Sequence, residues 1–513
     1  MMRRLFILTV FALLANSLVS QSLVGVQSNY SGSGYLTLNP AELVSSNHYF
    51  DFTLLSANAS IDNDFMFVYN KDMTPYLYDH LIVHNFDNIW PTVKKGYRNF
   101  NYDFKDNSRD KNAFEALDLN LFSCMFALNN KSTMAFSINN RIYSSIIDVP
   151  WEIPVIATYG IDETAFWGID YSSDNKIQVA NLDWSEIAVA YSRNIYERLR
   201  EKVDVGITGK FLLGYAGAAA TIDDNNFTIL NADSIRFNHS DTYFAYSIPF
   251  DYSIPFDDYG NEYGSVKKVL NKIIENQGYG FSFDLGFAYT KKADTRTPNT
   301  QSSCLLPKSN YQWKLGLSLT DVGAIAFKKN AAEHHFPIDD KILCSNTFDS
   351  IVSFQDLTDT LSQISYGATS ASRVGDKVVI GLPTSFNLQF DYRLKKRFYV
   401  KLSWIQPFQL FKYSVTKVPK LALAPRYESD WIDFGVPVTL YNYSHACVGF
   451  FFRISCLTVG TENIGALCGL GKSYGTELYV SLKFYLTKGH CLGPERDACW
   501  SGEAFTRKNG KRR

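Results

Sequence analysis

Beyond its first 20 residues this 513-residue chain has no apolar run near the length of about 20 residues that a membrane-spanning helix needs. A helical integral membrane protein is thereby excluded. Net charge is also lacking: 50 Lys and Arg stand against 51 Asp and Glu, which gives no argument for nucleic acid or an acidic ligand. Cysteine is sparse, eight residues scattered with no zinc-like spacing. Cys491 with Cys499, or Cys304 with Cys344, could close small loops, and free thiols are an equal expectation. Motifs for chemistry are missing too. There is no Gly-x-Ser-x-Gly elbow, no His-Glu-x-x-His and no phosphate-binding glycine loop. The densest histidine cluster, Glu333-His334-His335, points adjacent side chains apart, whereas a metal needs convergent ligands. No enzyme, metal or cofactor is expected.

What is present is alternation. In the segment 477–487, Leu478, Val480, Leu482, Phe484 and Leu486 share one face, and Glu477, Tyr479, Ser481, Lys483 and Tyr485 share the other. A strand has period 2, so one face is purely apolar and the other polar and charged. The pattern recurs. Phe281, Phe283, Leu285, Phe287 and Tyr289 oppose Ser282, Asp284, Gly286 and Ala288; Tyr311, Trp313, Leu315, Leu317 and Leu319 oppose Gln312, Lys314, Gly316 and Ser318. Strands 386–392 and 398–404 place Asp391 and Lys401 on their polar faces. A soluble sandwich would bury the apolar face, whereas a transmembrane barrel turns it to lipid and the polar face to an aqueous lumen. With 38 Phe, 32 Tyr and a mean hydropathy of −0.14, the chain is polar on average yet rich in rings, as barrels with aromatic girdles are.

The N-terminus supports export. Met1-Met2-Arg3-Arg4 precedes an apolar run from Leu5 to Leu14 and small residues to Ser20, the layout of a signal peptide over 1–20. An exported chain without spanning helices crosses a membrane only as a barrel. Further strands are expected near 48–70 (one strand, or two joined at Asp62-Asn63), 117–128, 132–146, 184–196, 203–216, 433–441 and 446–460. Short turns at 129–131, 197–202 and 394–396 alternate with long connections at 71–116, 147–183, 217–278 and 328–382, as periplasmic turns and outer loops do. The connection 293–309 fits neither class. This gives an all-β, antiparallel transmembrane barrel of twelve strands, or fourteen if 217–248 adds a pair. The expected organisation is an inner N-terminal segment at 21–47, a barrel at 48–487 and a basic tail at 488–513.

Two long connections carry helical periodicity. Val266, Val269, Leu270, Ile273 and Ile274 form one apolar stripe after Ser265; Phe354, Leu357, Leu361 and Ile364 form another, stopped at Gly367. Such stripes pack on their own loops over the barrel mouth, the commoner use, or form an apolar groove for a hydrophobic ligand. The tandem Tyr246–Asp251 and Tyr252–Asp257, each Tyr-Ser-Ile-Pro-Phe-Asp, is expected to be an exposed loop.

Several short boxes carry a family likeness: Asn39-Pro40-Ala41 after the signal peptide, Leu315 to Ile325 around Asp321 and Gly323, Leu457 to Leu467, and the final strand. Together they resemble the long-chain fatty-acid channel superfamily of outer-membrane barrels, and within it a Bacteroidota set related in architecture to barrels of type IX secretion. The resemblance implies about fourteen strands, an N-terminal hatch containing Asn39, Pro40 and Ala41, helical outer loops and residence in the outer membrane of a Gram-negative bacterium. It implies either a channel for small hydrophobic molecules or a scaffold for envelope or secreted proteins. Partners are then outer-membrane lipid, a hydrophobic small molecule or an envelope protein, and no nucleic acid. Asp284, Lys314, Asp391, Lys401, Glu477 and Lys483 are expected to face the lumen, paired with one another or lining a polar passage.

Overall fold

The computed structural model describes residues 28–69, 102–254, 275–293, 311–348 and 351–486, apart from the single positions 106, 174, 199, 396 and 430. The expected signal peptide, the tail, the stripe at 266–274 and Cys304, Cys491 and Cys499 lie outside the described residues.

Fourteen antiparallel strands close on themselves. They are β1 (Phe50–Asn63), β2 (Lys111–Asn129), β3 (Ser132–Val149), β4 (Ile177–Glu197), β5 (Glu201–Asn231), β6 (Gly278–Lys292) and β7 (Tyr311–Phe327). There follow β8 (Val378–Gly381 with Ser385–Lys395), β9 (Phe398–Pro407), β10 (Lys420–Glu428), β11 (Ile432–Gly435 with Val438–Tyr441), β12 (His445–Val448 with Phe450–Ile454), β13 (Leu457–Thr461) and β14 (Gly475–Leu486). The seam joins β1 to β14, with Phe50 opposite Leu486 and Asp62 opposite Gly475. Burial is inverted relative to a soluble protein. Phe281 is 72% exposed and Val480 50%, on the outer face, while Asp284 is 0% and Glu477 1% exposed, facing in. A band of exposed apolar side chains around a polar interior is the surface a bilayer requires.

The strand count departs from the sequence pattern in detail. The pair expected within 217–248 adds no barrel strand: the outer part of β5 and Ser234–Ser247 rise as a ribbon that pairs with Ala331–Cys344 beyond the wall. The missing strands are β10, which Pro425 disguised, and β13, because 446–460 is two strands turning near Ser455. The strand expected over 48–70 ends at Asn63, and Met66–Tyr69 joins a small separate sheet. Tyr311 was placed with the outward face. A bulge beside it turns the ring inward, where it is 1% exposed.

Among the described residues three α-helices lie in the outer connections: α1 (Glu152–Tyr159), α2 (Phe354–Tyr366) and the short α3 (Ile464–Cys468). Gly367 ends α2 in the left-handed region at φ 75°, the stop its sequence predicts, and Ser353, which the sequence reading did not single out, caps it through a capping box. The stripe of α2 begins on aromatic neighbours: Phe354 packs against Phe244, Tyr246 and Tyr252. The tandem segment is therefore not a free loop at its start, since Tyr246 ends a strand and is 4% exposed. Cys344 has a free thiol.

Candidate functional site

The lumen holds a folded N-terminal segment. Residues 28–49 form two 3-10 turns, Gly32–Thr37 and Pro40–Ser45. Asn39 is extended, its Oδ1 accepts from Ala41 N–H at 3.1 Å, and Pro40 starts the second turn with its fixed φ. The Asn39 Nδ2 donates to Phe287 O at 3.3 Å and Ser192 Oγ donates to Ala41 O at 3.0 Å. The box can come this close because the wall has no side chains there. Gly206 and Gly286 are cross-strand partners on β5 and β6, and Gly316 lies beside them on β7. A Cβ on Gly206 would lie 2.4 Å from Pro40 C, and one on Gly286 2.4 Å from Asn39 Oδ1. Glycine is what lets the backbone approach.

Charge pins the same segment at several points. Glu42 pairs with Lys314 at 2.8 Å, and Ser45 Oγ donates to Asp204 at 2.6 Å. The Asn29 amide donates to Glu428 at 2.7 Å, and Arg426 bridges Asp391 and Glu428 at 2.6 Å each. Lys483 donates to Ser31 O. His48 accepts or donates with Asp51 at 3.2 Å and stacks on Tyr485 at 4.3 Å. Burial pushes the His48 imidazole below its ordinary value, against the pull of Asp51. Burial, with Glu42 next, pushes the Tyr35 phenol well up.

Above this segment the wall changes phase. In β7, Leu315, Leu317 and Leu319 face outward with Lys314, Gly316 and Ser318 inward. A bulge then opposes Thr320 and Asp321 to Asp284, with Asp321 at φ 58°. Past it the alternation is inverted, and Ile325 and Phe327 point in at 0% exposure. Next to it, β8 breaks between Gly381 and Ser385; β5 shifts farther out, between Gly214 and Ala216, level with Phe327, and β6 keeps its alternation. Ile325, Phe327 and Ile380, turned inward past these breaks, meet Leu182, Trp184 and Leu212, which face in on unbroken alternation, in an apolar cluster inside the outer half of the barrel.

Asp321, re-aimed by its bulge, is the hub between the two halves. It accepts from Arg141 at 2.9 Å, Lys210 at 2.7 Å and Lys417 at 2.6 Å. Arg141 also reaches Asp118 at 2.7 Å and Glu186 at 3.3 Å, and Lys210 reaches Asp284 at 2.9 Å. Lys417 belongs to residues 408–419, a strap between β9 and β10 that dips into the barrel. Tyr413–Ser414 pairs with Ile380–Gly381, and Thr416 N–H donates to Ser145 Oγ on the far wall at 3.1 Å. Val415 and Val418 are each 1% exposed. Between the inner segment and the strap remains a polar cavity of about 140 Å³, with Leu36 and Leu38 below and Arg141, Lys210, Asp321 and Lys417 above.

Asp284 joins the Asp321 hub, Lys314 and Lys483 hold the inner segment, and Asp391 pairs with Arg426. Lys401 is buried beside them at 2% exposure. Glu477 belongs to a separate group, accepting from Lys420 at 2.6 Å and Tyr441 at 3.1 Å. Phe354, Leu357, Leu361 and Ile364 are half-buried on α2. Sequence reasoning missed Arg141, Lys210, Asp321, Lys417 and the whole strap. Asp321-Val-Gly323, a turn-like break in a regular strand, was the one local signal. Among the described residues no His, Cys, Asp and Glu group is arranged to hold a metal.

A closed fourteen-strand barrel with a lipid-facing apolar band and internal polar contents is an outer-membrane β-barrel. The chain belongs to a family of unknown function, DUF5723, whose model matches residues 40–462. No curated protein matches it in sequence. Similar solved structures include the TodX deltaS2S3 mutant monoaromatic hydrocarbon channel, at 8% identity and TM-score 0.39, over 88% of this chain and 94% of that one. The toluene transporter TbuX of Ralstonia pickettii matches at 9% and 0.30 over 92% and 100%. The translocator domain of the autotransporter NalP from Neisseria meningitidis matches at 7% and 0.27 over 85% and 89%. With TM-scores below 0.5, the functional reading rests on the chain's own residues.

Proposed function

We propose that this protein is an outer-membrane channel for small hydrophobic molecules, shut in this conformation by residues 28–47 from the short-turn end and by the strap from the outside. In this reading a signal peptide exports it to the outer membrane of a Gram-negative bacterium, and the Asn39-Pro40-Ala41 segment acts as a hatch. The observation that carries the proposal is the phase switch at Asp321. The adjacent strands β7 and β8 break their alternation side by side and turn Ile325, Phe327 and Ile380 into a lumen whose charged residues lie just beneath. A water-filled pore has no use for such a lining, whereas an apolar solute entering from outside gains from it. The charged layer beneath then acts as the barrier that hatch and strap movement must open.

The test is paired. In planar bilayers the wild type should give no large steady conductance; persistent porin-like openings would sink the shut-barrel reading. In whole cells, expression should raise uptake of a small apolar fluorophore, and deleting 409–417 should alter the rate. Uptake indistinguishable from cells without the protein refutes transport.

A second reading, a non-transporting scaffold for an envelope or type IX secretion-like complex, is favoured by the outer ribbon. Ala331–Cys344 pairs along one edge with Ser234–Ser247, but along the other, among the described residues, only Glu333 and His334 are paired with a strand. Such an edge can accept a strand from a partner. Extraction from native outer membranes in mild detergent separates the readings: a bound apolar molecule supports the channel, and a stoichiometric protein partner supports the scaffold.

A further inference from the structure

Where the strap meets the outer ribbon, a cation is enclosed by rings and a carboxylate. Lys412 Nζ lies 3.9 Å from the ring centroid of Tyr243 and 4.8 Å from that of Tyr413, and 2.8 Å from Glu333 Oε1. Aromatic faces around a carboxylate are the recognition geometry for an ammonium group. The walls are held without help from Lys412. Tyr413 OH donates to Glu333 Oε1 at 2.7 Å and fixes the carboxylate. Tyr243 stacks at 4.3 Å on His335, its cross-strand partner. His335 in turn lies 2.5 Å from Asp241 and 3.2 Å from Tyr366 OH on α2. The occupant is the loosest member, since the Lys412 side chain is 47% exposed and that of Glu333 22%.

The floor is equally informative. Tyr413 and Val415 belong to the apolar cluster inside the barrel, and Tyr243 packs against it. A molecule with an ammonium head in the cage would lay its carbon chain toward that cluster. We propose that Tyr243, Tyr413 and Glu333 form a binding site for alkylammonium compounds at the outer mouth, occupied in this conformation by the protein's own Lys412. Lys412 is then a tethered competitor: an incoming amine must displace it, and displacement frees one end of the strap. The cage stands on its own geometry; its role in selecting what the channel carries rests on the channel reading.

The test uses the full-length detergent-purified protein with n-butylammonium and 1-butanol as probes, both small and water-soluble, followed by titration calorimetry. Lys412→Ala, which removes the competitor, should bind n-butylammonium at least about tenfold tighter than the wild type does. Adding Glu333→Gln to it should abolish the gain, and 1-butanol should show no difference among the three proteins. Lys412→Met, which keeps the aliphatic stem, guards against a local collapse in the alanine variant. Heat-dependent gel migration reports that each barrel is folded. No gain in folded Lys412→Ala and Lys412→Met, or a gain untouched by Glu333→Gln, overturns the cage. Equal binding of both probes also overturns it while leaving the apolar channel standing. Ammonium binding in a protein that fails the uptake assay would refute the channel and leave the cage.

Discussion

Gly286→Ala replaces one hydrogen of a barrel wall by a methyl group, and it should dislodge the inner segment. The new Cβ would stand 2.4 Å from Asn39 Oδ1 and 2.7 Å from Ala41 N, distances that no van der Waals contact permits. The wall cannot yield, because Gly286 is paired on both sides, to Gly206 and to Ser318. The Asn39 box must therefore move away. Overpacking of this kind costs about 1–3 kcal/mol, and the Asn39 Nδ2 bond to Phe287 O, lost with it, adds about 1 kcal/mol. The seated state then loses about 2–4 kcal/mol relative to a displaced one, roughly 30- to 700-fold in population. Hydrogen exchange followed by mass spectrometry reads this directly. Peptides covering 39–45 should exchange faster by about that factor, while peptides from β1 and β14 keep their protection. Unchanged exchange over 39–45 in a folded Gly286→Ala barrel would refute the argument that glycine is required for the seat.

Asp321→Asn leaves Arg141, Lys210 and Lys417 around a neutral amide and should cost about 3–5 kcal/mol, read as a lower urea midpoint of the detergent-solubilised protein. His48 is lowered by burial, so its stabilising contribution is full above its ordinary value of 6.5 and fades as pH falls through the lowered one. Protection of residues 28–49, taken relative to the intrinsic exchange rate at each pH, should accordingly fall on acidification, and His48→Gln should flatten that dependence. Val480→Lys puts a charge on the lipid face and should cost about 2–4 kcal/mol of insertion, seen as less folded barrel after refolding into vesicles; Ser481→Lys, facing in, should not show this lipid penalty.

The barrel was legible because lipid and lumen impose period 2 on each strand independently. Leu478 to Leu486 needs no knowledge of its neighbours to be read as one outward face. The expectation that Asp284, Lys314, Asp391, Lys401, Glu477 and Lys483 face the lumen comes from the same alternation. Their partners were not legible, since pairs such as Glu42 with Lys314 or Arg426 with Asp391 depend on how strands are ordered around the barrel. The apolar cluster was hidden for a different reason. Ile325 and Phe327 carry the same parity as Leu315 and Leu317, and only the bulge at Asp321, one residue of extra chain, sends them to the opposite side. The strand Lys420–Glu428 was passed over because its inward face is built on Ala422 and Ala424 and Pro425 breaks its outward face, so neither alternation nor β-propensity is strong.

The seam between β1 and β14 has a consequence for how the molecule is made. The inner segment immediately precedes β1, and its contacts run to β4, β6, β10 and β14, including Lys483 with Ser31 across 452 residues of chain. Zipping the first strand to the last therefore brings the N-terminal residues and the closing strand together at the moment the circle closes. Synthesis delivers these residues first and the closing strand last, so for most of assembly the filling waits inside an open, curved sheet. The ion pairs that line the finished interior are then also the template around which the sheet curls, and weakening them should slow closure before it changes the closed state.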